Sequence, residues 1–253
     1  MANTRRNRTT MPLTDGIVAK RLLNPLKYFT HVERWIKTPG LNADIQSTSE
    51  SVNEIVNKDW EVLGTNHTSA LATFRAGGGL TITTATASLD EMNVQPHLDT
   101  KQSAVAQAGW NTAKEMLFYG TFETGAAIVD AIIWGGWKLT NTQVVATDND
   151  QVFFRYEEGV NSGKWQFIYS ISGTDTEVDT GITVAVSTAY ELLIELDSSR
   201  IARGYINGVL VGTSTALASL TTLDPYFGIK SQTGGAGGSL ALSNRALMVS
   251  QLY

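Results

Sequence analysis

The stretch A-R-G-Y-I-N-G-V-L-V-G-T-S-T, residues 202–215, decides the fold. Asn207-Gly208 is the preferred pair for a two-residue type I′ turn, because both central positions need positive φ. Such a turn fixes a hairpin register: Ile206 opposite Val209, Tyr205 opposite Leu210 and Gly204 opposite Val211. Ile206, Val209 and Val211 then share one face, and Arg203, Tyr205 and Leu210 the other. Both faces are partly apolar, as expected inside a sandwich. Tyr205, Asn207 and Gly208 are therefore read as an architectural hairpin.

The same period of two runs outward from this hairpin. In K-W-Q-F-I-Y-S-I, Trp165, Phe167, Tyr169 and Ile171 fall on one face, with Gln166, Ile168 and Ser170 on the other. In Y-E-L-L-I-E-L-D, Tyr190, Leu192, Ile194 and Leu196 oppose Glu191, Glu195 and Asp197; E-V-D-T-G-I-T-V alternates likewise. One dry and one wet face per strand marks antiparallel sheets packed face to face. Q-V-F-F-R-Y, G-L-T-I-T, M-L-F-Y-G-T-F-E and the closing S-L-A-L-S-N-R-A-L-M-V-S-Q-L-Y add strands, separated by Gly-, Asn- and Ser-rich turns. The 253 residues include 23 glycines, with 42% apolar and 17% charged side chains, the profile of a folded chain leaning to all-β.

The first 58 residues read differently. D-G-I-V-A-K-R-L-L-N-P-L-K-Y-F places Val18, Leu22 and Leu26 four apart on a helix face, with Pro25 kinking or ending it. Ser47 and Glu50 form a capping box ahead of Val52, Ile55 and Val56. The chain is thus divided into an arm with short helices (1–58) and a β-sandwich (59–253). Residues 1–37 hold eight bases against Asp15 and Glu33, whereas the rest holds 11 bases and 22 acids. Arg5, Arg6, Arg8, Lys20 and Arg21 are the expected anchors of a basic arm on an acidic surface; a solvated tail is the alternative. The acidic body disfavours nucleic acid as a partner.

The absence of cysteine removes disulfides, thiolate metal sites and cysteine nucleophiles. No apolar run reaches the length of a membrane span, and the N-terminus lacks the apolar core of a secretory signal. Histidines 31, 67 and 97 are scattered, so no metal site or catalytic triad is expected. Asp148, Asn149 and Asp150 could offer oxygen ligands to calcium, but lack the distal Glu of a loop signature and read as a turn. Glu191, Glu195 and Asp197 share a strand face, and Glu195 with Asp197 approaches the spacing of a retaining glycosidase. A solvated outer face is the expected reading. Trp134 and Trp137 of W-G-G-W, with Trp110 nearby, could stack on a sugar, or serve as core or subunit contacts. No cofactor is expected.

From Tyr190 the chain resembles concanavalin-like, laminin-G-like jelly rolls: a Y-x-L-x-I strand, the Y-x-N-G-x-L-V hairpin, P-Y-F-G-I and a closing strand. That resemblance implies an antiparallel jelly-roll β-sandwich with an N-terminal arm. The superfamily includes lectins, glycosidases and virus-particle proteins. Together with the arm it implies a non-enzymatic virion protein, of the bacteriophage capsid-decoration, cement or head-fibre kind, found in the virion and assembled in the host cytoplasm. Its partners would be major capsid or tail proteins and further copies of itself, as a homotrimer. The alternative is a lectin-like adhesion module that binds glycan.

Overall fold

In the computed structural model, residues 13–35, 45–47, 60–68, 71–96, 104–139, 148–232 and 239–253 are described. They form two large sheets stacked face to face. The first runs β14 (Val209–Ala216), β13 (Ile201–Ile206), β12 (Ala189–Leu196), β7 (Met116–Thr124), β16 (Ala241–Leu252), β5 (Leu80–Thr83), β4 (Ala72–Phe74). β1 (Tyr28–Glu33) pairs with the far half of β16. The second runs β11 (Thr174–Thr183), β10 (Lys164–Ile171), β9 (Gln151–Glu157), β8 (Ala131–Lys138), β15 (Asp224–Ser231), β6 (Glu91–Pro96), β3 (Trp60–Leu63), β2 (Ile45–Ser47). Pairing is antiparallel throughout, save for β2 beside β3. The all-β jelly-roll expectation holds.

Period-two alternation sends one set of side chains from each sheet into a shared core. Phe122 of β7 meets Phe227 of β15 edge-on with ring centroids 5.4 Å apart, and Trp165 of β10 meets Tyr190 of β12 at 5.6 Å. Such aromatic pairs add to the area they bury, which at about 25 cal/mol per Å² is the main stabilising term.

The hairpin that opened the reading closes β13 onto β14 with Asn207 at φ 50° and Gly208 at φ 80°. Its first two pairs are those expected, Ile206↔Val209 and Tyr205↔Leu210. Beyond them a bulge intervenes, and Gly204 pairs with Gly212 rather than with Val211. The reason is steric. A Cβ on Gly204 would come within 2.5 Å of the Phe167 ring, and Gly212 lies against the same ring. The slip sets the two glycines side by side, leaving room for that phenylalanine. At the tip Val209 and Leu210 are exposed, so the apolar face expected there is only partly buried.

The arm is corrected in two respects. Residues 28–35 belong to the sandwich: β1 is a strand of the first sheet, and the Trp35 indole is fully buried, donating from Nε1 to Asn244 Oδ1 at 2.6 Å. The first helix, α1 (Leu13–Leu22), ends before Pro25 as expected, but Leu22 and Leu26 are exposed. Ile17 and Val18 instead pack on Leu117, Leu193, Tyr205 and Met248, on the outer side of the first sheet. The second helical segment, with Glu50, Val52, Ile55 and Val56, lies outside the described residues, while Ser47 ends β2.

Candidate functional site: the outer face of the second sheet

Alternation that points Met92, Val94, Phe227 and Ile229 inward turns Glu91, Asn93, Gln95, Tyr226, Gly228 and Lys230 outward on β6 and β15. On β8 and β9 the outward set is Ile132, Trp134, Gly136 and Lys138, then Gln151, Phe153, Arg155 and Glu157. The register aligns these into rows. Asn93, Gly228, Trp134, Arg155 and Gln166 form one, across β6, β15, β8, β9 and β10. Tyr226, Gly136, Phe153, Ile168 and Glu177 form the next. Asp224, Lys138, Gln151, Ser170 and Asp175 form a third.

The middle of this face is apolar. Trp134, Phe153, Ile168 and Tyr226 form a buried cluster separate from the main core. Lys138 lies over it, its ammonium 5.0 Å from the Phe153 ring centre and 5.7 Å from that of Tyr226. Asp148 stands 3.6 Å from Lys138 Nζ, and both side chains are fully buried. Burial lowers the Lys138 pKa to about 8, although Asp148 pulls it upward. The Tyr226 hydroxyl is pushed well up by burial and by the charges of Asp148 and Glu91, so it stays protonated. Burial likewise raises Asp224, to about 6.

Polar groups flank the cluster on both sides. Toward β3, Gln95 Nε2 donates to Glu61 Oε1 at 2.9 Å, and Lys230 pairs with Glu91 at 3.2 Å. Toward β11, Gln166 Oε1 accepts from Arg155 Nη2 at 3.2 Å, and Gln166 Nε2 donates to Glu177 Oε2 at 2.6 Å. The other Glu177 oxygen accepts from Arg155 Nη2 at 3.3 Å, and Glu157 lies 3.6 Å from the same nitrogen. Guanidinium, amide and carboxylate are thus locked together, with Arg155 half-buried and Glu177 exposed. Gln166 is buried beneath them, so the Arg155 guanidinium edge and the exposed Glu177 carboxylate are the groups with capacity left for a ligand's hydroxyls.

The structure redistributes the residues singled out on sequence. Trp134 and Trp137 make no joint platform. They are both fully buried and point to opposite sides of β8, Trp137 packing on Trp110 at 5.4 Å inside the core. Trp134 alone belongs to the outer face, where its Nε1 has no acceptor among the described residues. Arg21, expected to reach a partner, is buried: its guanidinium stacks 4.2 Å above Tyr28 and sits 3.7 Å from Glu115. Desolvation lowers its pKa, countered by Tyr28, Glu115 and Glu195. Lys20 is exposed; Arg5, Arg6 and Arg8 lie outside the described residues.

Asp197 is a turn residue, accepting from the backbone of Ser199 and Ile201 and from Arg203 Nη1, while Glu191 and Glu195 face outward on the first sheet. Asp148 and Asp150 are taken up by Lys138 and by the Ser172 amide, and no cluster of three metal-ligating side chains occurs among the described residues. His31 packs on Trp60, His67 bonds the Gly64 carbonyl, and His97 lies outside the described residues. Lys138, Arg155, Gln166, Glu177 and Tyr226 were not singled out; the last four sit at outward positions of strands legible in the sequence, whereas Lys138 lies on β8, which was not read as a strand.

No family model and no curated protein matches the chain. Solved structures do match its fold. A protein of unknown function from Shewanella oneidensis MR-1 aligns over 98% of this chain and 97% of its own, at 14% identity and a TM-score of 0.56. The carbohydrate recognition domain of Emp47p aligns over 88% and 96%, at 7% identity and 0.54. A family 7 alginate lyase, A1-II', aligns over 73% and 85%, at 16% identity and 0.53. The expectation of a non-enzymatic protein is thereby corrected, since this same sandwich carries a polysaccharide lyase. At these identities the likeness is one of fold, an antiparallel jelly-roll β-sandwich.

Proposed function

We propose that the chain binds a polysaccharide on the outer face of its second sheet. The observation that carries this reading is the row in which Trp134, Arg155 and Gln166 stand on adjacent strands, with Glu177 bonded to both polar heads. Sugar hydroxyls both donate and accept, so a guanidinium and a carboxylate held in place by the buried Gln166 amide can engage them without reorganising. The covered Trp134 walls the row. The fold's likeness to a carbohydrate recognition domain and to an alginate lyase supports the same reading.

A particle-protein role would rest on the basic arm, whose Arg21 is buried over Tyr28 beside Glu115 and so does not face a partner.

Affinity electrophoresis against neutral and acidic polysaccharides tests the proposal. At least one polysaccharide is expected to retard the wild-type chain. Arg155→Ala is expected to weaken that binding about tenfold, as loss of a charge-assisted hydrogen bond would. Retardation by none, or equal retardation of Arg155→Ala, would refute the proposal.

A further inference from the structure

A separate constellation occupies the outer side of the first sheet, and the polysaccharide row does not use it. Three segments distant in sequence converge on Gly79. The end of β1 does so through Arg34, whose carbonyl accepts from Gly79 N at 3.2 Å. The β4–β5 turn does so through Arg75, whose amide donates to the Gly79 carbonyl at 2.9 Å. The third is a bulge in β16, where Arg245 is the unpaired residue between Asn244↔Phe122 and Ala246↔Thr121. A bulge re-aims the side chain it carries. Gly79, at φ +108°, is pressed so closely on this bulge that a Cβ would lie 3.2 Å from Asn244 O. The packing that unites the segments also gathers three arginines.

One carboxylate answers them. Glu123 Oε2 accepts from Arg75 Nη1 at 3.0 Å and from Arg245 Nε at 3.0 Å, with Arg245 Nη2 on the same oxygen. The two guanidiniums hold the Glu123 carboxyl below its ordinary range. Arg34 is exposed and makes no ion pair among the described residues, and Glu33 is engaged by the Trp35 amide at 2.6 Å. Two guanidiniums therefore share one carboxylate, and Arg34 adds a third cation on the neighbouring chain segment, on a chain whose net charge is −5. Hydroxyls adjoin them, with Thr81 Oγ1 2.7 Å from Ser243 Oγ and Ser243 paired across from Glu123. Uncompensated like charge in one place is relieved by a second anion, and guanidiniums grip planar or tetrahedral oxyanions through paired N–H groups.

We infer that Arg34, Arg75 and Arg245 form a binding site for an oxyanion, a carboxylate or a sulfate, and that Glu123 occupies it from within as a competitor. This goes beyond the polysaccharide row and can fail without it.

The test follows the arginine Nε–Hε resonances of the intact chain during titration with sodium sulfate and with sodium glucuronate. Sodium chloride at equal ionic strength and glucose serve as controls. Saturable shifts at Arg75 and Arg245 are expected with at least one oxyanion. A response to sulfate alone assigns a tetrahedral ligand and to glucuronate alone a planar one, and either supports the site. Glu123→Gln is expected to tighten binding about tenfold by neutralising the competitor, and Arg75→Ala with Arg245→Ala to abolish it. Absence of saturable shifts in the wild-type chain, or shifts matched by chloride, would overturn the inference, and that arm decides even where a variant fails to fold.

Discussion

Trp137→Ala is expected to lower the stability of the chain by about 3–5 kcal/mol, the range for removing a large aromatic side chain from a core. The Trp137 indole has no exposed surface and packs on Trp110 at 5.4 Å and Phe118 at 6.2 Å. Trp110 is itself pinned, donating from Nε1 to the Val105 carbonyl of α2 (Ala104–Gln107) at 2.9 Å. Phe118 belongs to a central strand of the first sheet, flanked by β12 and β16. Neither neighbour can slide into the space without disrupting ladder hydrogen bonds, so the cavity stays open and its full cost is felt. Urea unfolding measures this directly. A loss below about 1 kcal/mol would show that the residue lies outside the core.

The second large effect is expected at the buried ion pair. Asp148→Ala leaves the Lys138 ammonium without its 3.6 Å partner beneath the outer face, and removing one member of such a pair costs about 3–5 kcal/mol. The pH dependence has a definite sign. The folded pKa of Lys138, about 8, lies below its ordinary 10.5, so burial of the charged form opposes folding at neutral pH. That opposition is relieved as pH rises from about 8 toward 10.5, where the unfolded chain holds more protons than the folded one. Without Asp148 the folded pKa falls further. The deficit of Asp148→Ala is therefore expected to be greatest at pH 6 and to shrink by pH 9.5, as read from urea midpoints at the two values. A deficit that grew with pH would show that the charge of Lys138 is not its source.

How much of this was legible in the sequence differs from residue to residue. Asn207-Gly208 announced the hairpin because the turn chemistry is local. The slip to Gly204↔Gly212 was not legible, since it depends on Phe167 arriving from the other sheet. The opposite facing of Trp134 and Trp137 could have been read: three residues apart on a strand means opposite sides. The Arg155–Gln166–Glu177 network could not, because its members lie 11 and 22 residues from Arg155 and meet only through the strand register. Arg21 looked like a free cation because its partner Glu115 is 94 residues away. In the same way β1 was hidden in the arm, its pairing partner β16 closing the chain.

The central claim, that the outer face of the second sheet holds a polysaccharide, is tested most directly by hydrogen exchange on the chain saturated with the polysaccharide that retards it. Slowed exchange across β9, β10 and β11, around Arg155, Gln166 and Glu177, is the predicted result. Protection confined to β4, β5 and β16 of the first sheet, with β9 to β11 unchanged, would contradict it.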